Sequence, residues 1–87
     1  MNQVDARDVD LATDSAVIAG QSYDQARRIA LQLVGTRLAS AARQLLKSSE
    51  YAEGETYHRE RESARQLRER ARELFRDACL VEELIHD

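Results

Sequence analysis

Between residues 57 and 85 the chain sets apolar or small side chains at Tyr57, Ala64, Leu67, Ala71, Leu74, Ala78, Val81 and Ile85, in steps of three and four broken only by Glu60. That alternation is a coiled-coil seam. One helix cannot bury such a seam against itself, so a second helix has to lie alongside it, from the same chain or from another. Roughly 29 residues at 1.5 Å each give a rod of about 43 Å, too long for the inside of a small globule.

The seam alternates in size, with alanine every seventh residue at 64, 71 and 78 and leucine or valine at 67, 74 and 81. Small side chains at one seam position allow close approach, which suits antiparallel pairing better than a parallel zipper with bulky β-branched residues. The preceding segment supplies the neighbour. Leu31, Val34, Leu38, Ala41 and Leu45 step by three and four, and Ile29, Ala30, Leu33, Ala42 and Leu46 widen the stripe beyond what one partner helix covers. Ser22 and Gln25 have capping-box spacing, which starts this helix near Tyr23. Gly54 marks the turn and Thr56 the next cap, and so short a connection makes the two helices antiparallel.

Within the second helix, Gly35 costs about 1 kcal/mol relative to alanine. It is either kept for a close helix crossing or simply tolerated. Upstream, Val9, Ala12, Ala16 and Ala19 recur at helical spacing up to Gly20, while residues 1–8 are polar and are expected to be disordered. The expectation is therefore a single all-α domain: a short helix at about 9–19, then two long antiparallel helices at about 23–50 and 57–85. Past Leu74, Phe75, Cys79, Leu80 and Leu84 add apolar surface beyond the seam, and two such hairpins joined there would form a two-fold four-helix bundle. A chain of 87 residues buries a modest core, so a homodimer is expected.

The formal net charge of −3 conceals blocks of opposite sign. Residues 1–24 hold five aspartates against Arg7, residues 25–48 hold five basic side chains and no acid, and residues 59–76 hold seven arginines against four glutamates. Mild overall acidity argues against indiscriminate nucleic-acid binding while leaving a local basic surface available. Arg61, Arg65, Arg68, Arg72 and Arg76 form a stripe at steps of four, three, four and four. It could follow a phosphate backbone or dock on an acidic protein surface, but Glu62, Glu69 and Glu73 are spaced to pair with Arg65, Arg72 and Arg76.

Other chemistry is thinly represented. Cys79, Glu83 and His86 share one side of the last turns, yet a structural metal site normally needs four matched ligands and no second His or Cys motif exists, so no metal is expected. The single cysteine is read as a half-buried packing residue and excludes an intrachain disulfide. No nucleophile and base pair, phosphate loop or glycine-rich fingerprint occurs, and the chain is read as a non-enzyme without a cofactor. The acidic start has no basic region leading into an apolar run, and no stretch approaches a membrane span, which places the protein in the cytoplasm.

These features point to a regulatory protein that binds a specific protein partner through helix faces. The residues expected at the partner or dimer interfaces are Ile29, Leu33, Phe75, Cys79, Leu80 and Leu84, with Arg68, Arg72 and Arg76 supplying charge at the rim. The rival class is a nucleic-acid-binding or nucleoid-type helical protein using the arginine stripe. In size, in its two long helices after a short one, and in the Ala/Leu seam from Ala64 to Val81, the chain resembles the small helical antiactivators of bacterial quorum sensing, the QslA and TraM type. That resemblance implies a dimer that sequesters a LuxR-type transcription factor and blocks its DNA-bound dimer; it transfers no role to any single residue.

Overall fold

Asn2 opens the first helix by accepting a hydrogen bond from the Asp5 backbone N–H at 2.8 Å, the work of an N-cap asparagine. Helix α1 then runs Gln3–Ile18, α2 Tyr23–Ser49 and α3 Gly54–His86. The computed structural model describes the backbone of residues 1–86 and the side chains of residues 1–85; among these the chain is all helical, with three helices and no strand. No helix among them is long and apolar enough to cross a membrane.

Helix α1 starts six residues before the position expected from its apolar spacing, so residues 3–8 are helical rather than disordered. Two polar side chains explain the extension: Asn2 caps it, and Asp5, on its first turn, is buried against α3. At the other end Gly20, with φ of 106°, occupies the left-handed position that a side chain disfavours. Its N–H reaches the Val17 carbonyl and the Gln21 N–H reaches that of Ala16, the paired bonds of a Schellman stop. Ser22 caps α2 through the Gln25 N–H at 3.4 Å. The Gln25 side chain turns instead to Arg28, so only half of the capping box forms.

Gly54, with φ of 61°, makes the reversal into α3, which puts Thr56 inside the helix rather than at its cap. The 33 residues of α3 set the long dimension of a molecule measuring 49 × 24 × 20 Å. Helices α2 and α3 pack along their lengths as an antiparallel hairpin. Helix α1 lies on the N-terminal half of α2, and the half nearer the hairpin turn has only two helices.

The core follows the seam. Ala64, Ala71, Leu74 and Ala78 of α3 are buried, as are Ala26, Ala30, Leu31, Val34 and Ala42 of α2, with Val9 contributed by α1. Burying each of Leu31 and Leu74 is worth about 1.5–3 kcal/mol. Glu60, the interruption in the seam, is half-buried and leaves its Oε2 without a hydrogen-bond partner. Gly35 is buried beneath Phe75: a Cβ at this position would stand 2.9 Å from Cε1 of the Phe75 ring. A close crossing, not mere tolerance, explains the glycine.

Candidate partner-binding surface

Equidistance from the hairpin turn brings Leu46 of α2 opposite Tyr57 of α3, and the two form the floor of a shallow groove of about 580 Å³ with Ala64. Along its α3 wall stand Arg61, Arg65, Arg68 and Arg72, with Glu62 and Glu69 between them. Their alignment follows from steps of four, three and four on one helix. The groove occupies the two-helix half of the molecule, where no third helix covers it.

Charge in the groove is less balanced than the spacing implies. Arg65 takes both carboxylates, bonding Glu62 through Nε at 2.9 Å and Glu69 through Nη1. The hydrogen bond from Arg65, reinforced by its charge, holds the Glu62 carboxyl below its ordinary value. The same partners hold the Arg65 guanidinium well above its own. Glu73, which the spacing offers to Arg76, is drawn instead to the ammonium of Met1. That hydrogen bond, together with the charges of Glu73, Asp77 and Asp5, raises the pKa of the N-terminal amine.

Arg68, Arg72 and Arg76 are therefore left exposed, with no carboxylate within 4.0 Å among the described residues. Arg61 lies over the Tyr57 ring, 5.4 Å from its centroid, an arrangement that keeps the cation at the groove rim. Tyr57 in turn meets His58 edge to face at 5.3 Å.

The remaining interface candidates fall on different sides of the molecule. Phe75 covers Gly35 and stays partly exposed, with Cys79 one turn further along the same side of α3. Cys79 is exposed rather than half-buried. At 3.6 residues per turn, Leu80 lies about 140° around α3 from Phe75 and Leu84 about 180°. Both are exposed, so the apolar residues past Leu74 do not make one face. Leu33 faces a second groove, of about 400 Å³, which it lines together with Leu11 of α1, and Ile29 precedes it by one turn.

Sequence spacing missed Leu46 and Tyr57 as groove residues because each also belongs to a helical stripe; the hairpin register carries the signal. It also missed Val4, Leu11 and Ile18 of α1, which stay exposed. For metal chemistry, the described residues contain no group of three His, Cys, Asp or Glu side chains placed to hold an ion. The His86 side chain of the trio with Cys79 and Glu83 lies outside them. No family model, no curated protein and no solved structure matches the chain.

Proposed function

We propose that the protein is a small dimeric regulatory module that binds one protein partner through the groove between α2 and α3. The observation that carries this reading is the pair Arg68 and Arg72, exposed on the wall of the groove floored by Leu46 and Tyr57, with Arg76 continuing the row beyond it and no carboxylate within 4.0 Å of any of the three among the described residues. An acidic amphipathic helix fits that surface: its apolar side meets the floor and its carboxylates meet bidentate guanidinium donors. Sequestration of a transcription factor, as in the quorum-sensing antiactivators, is the specific form that the resemblance in build implies.

Nucleic acid is the second reading, favoured by the same arginines. Against it, the rings that line the groove among the described residues are those of Tyr57 and His58, which meet edge to face at one end, whereas single-strand binders set out successive rings for stacking. Capture from lysate on the tagged protein, with and without nuclease and beside an Arg68→Glu/Arg72→Glu variant, separates them. A stoichiometric protein recovered after nuclease treatment by the parent, and not by the variant, is the expected result. Recovery that vanishes with nuclease would replace the protein partner by nucleic acid.

A further inference from the structure

Helix α1 turns Val9, its alanines and two polar side chains inward and leaves its bulkier apolar residues exposed. Asp5 and Thr13 are buried with Val9. Val4, Leu11 and Ile18, by contrast, are 64%, 57% and 87% exposed. Their seven-residue spacing sets them in one line along the helix, the arrangement of a ridge meant for another helix. Across the groove from Leu11 stands Leu33 of α2, 42% exposed, with Ile29, 37% exposed, one turn before it. The two helices thus present five large apolar side chains on one surface, none of them used in the hairpin core.

The rims of this surface have opposite signs. Its α1 wall carries Asp8, with Arg7 and Asp14 on the outer side of that helix, and its α2 wall carries Arg37. A foreign helix of either sign would be attracted by one rim and repelled by the other. A second copy turned about a two-fold axis running along the groove meets neither problem, because α1 of each protomer then faces α2 of its partner. The other two-fold arrangement, α1 on α1 and α2 on α2, sets the Asp8 wall against its own copy and the Arg37 wall against its own copy, and like charges across an interface are unfavourable.

We infer that this α1–α2 surface is the self-association face, on which a second copy of the chain docks with Leu11 opposite the partner's Leu33. The two α1–α2 pairs make the four-helix layer of the dimer, an isologous contact in which each rim is complementary to the other. The inference rests on the dimeric part of the proposed function and leaves the α3 groove free for a different protein.

Sedimentation equilibrium of the full chain from low to high micromolar concentration tests it. The parent protein is expected at twice the chain mass and Leu11→Glu at the chain mass, with helicity by circular dichroism unchanged because Leu11 is exposed and outside the core cluster. A monomeric parent, or a Leu11→Glu protein that stays dimeric, overturns the assignment. Short thiol cross-linking in a Cys79→Ser background reads the geometry. Leu11→Cys mixed with Leu33→Cys should cross-link, whereas cross-linking of Leu11→Cys only to itself would replace the crosswise dimer by α1 on α1. Loss of partner capture by the Arg68 and Arg72 variant with the dimer intact tests the groove separately.

Discussion

The ion pair that fastens α1 to α3 should respond very differently to the loss of its two members. Arg70 donates to Asp5 through Nε at 2.9 Å and through Nη2 at 2.6 Å, a fork that also raises the pKa of the guanidinium. The Asp5 side chain is 2% exposed and that of Arg70 32%. Arg70→Ala leaves a buried carboxylate without a cation. Breaking a buried pair costs about 3–5 kcal/mol, and the partial exposure of this one places it at about 3 kcal/mol. Asp5→Ala leaves a guanidinium that can turn to water, and loses a charge-assisted bond and a favourable first-turn carboxylate, together about 1.5 kcal/mol.

For a domain of this size those costs correspond to falls in Tm of roughly 10–20 °C for Arg70→Ala and about 5–10 °C for Asp5→Ala. The double variant removes the orphaned charge and should be no less stable than Arg70→Ala alone, giving a coupling energy of roughly 2 kcal/mol. Urea titrations followed at 222 nm, at one fixed protein concentration, measure all four corners of the cycle. Equal costs for the two single changes, or additive ones, would refute the claim that α1 is clamped by a buried carboxylate.

Two further outcomes follow from packing and charge. Gly35→Ala gains about 1 kcal/mol of helix propensity but drives a Cβ to 2.9 Å from the Phe75 ring; overpacking of that kind costs about 1–3 kcal/mol. The change should therefore be neutral or destabilising in the parent and stabilising by about 1 kcal/mol in a Phe75→Ala background, a reversal that paired thermal melts detect. For Glu62, whose pKa is lowered in the folded chain by the Arg65 hydrogen bond, the pair's contribution is present above the unfolded value near 4.5 and lost as pH falls through the folded one. Carbon-detected NMR titration should find Glu62 below 4.5 in the parent and back near it in Arg65→Gln; the same value in both would remove Arg65 as the cause.

Much of this architecture is legible in the sequence, for identifiable reasons. The alanine and leucine seam of α3 and the stripe of α2 declare the hairpin because both periodicities are long and carry bulk. Gly20 and Gly54 mark the two reversals because only a residue without a Cβ takes their positive φ cheaply. The start of α1 is harder to see: its capping residue is Asn2 and its docking residue is Asp5, and apolar periodicity is blind to a helix that buries a carboxylate. The groove is half legible. Its arginines stand out by spacing, but which glutamate each one takes depends on rotamers and on the position of the N-terminal ammonium, neither of which is local in sequence.

The exposed ridge Val4, Leu11 and Ile18 shows the same principle from the other side. Its seven-residue spacing is plain, yet Val9 and the alanines lie on a competing face of the same helix. Their small volume suits close packing against α2, and that settles which face turns inward. Likewise, the apolar residues from Phe75 to Leu84 look like one flank when counted, and separate into two only when the rotation of 100° per residue is followed round the helix.

The central claim is that the uncompensated arginines of the α3 groove bind a protein. Its most direct measurement is the affinity of the captured partner, purified free of nucleic acid, for the parent and for Arg68→Glu/Arg72→Glu at low and moderate salt. Binding that survives moderate salt in the parent and weakens at least about tenfold in the variant, a loss of about 1.4 kcal/mol or more, is the predicted result. Equal affinity for both proteins, or binding by the parent that collapses steeply with salt and returns only with added nucleic acid, would contradict it.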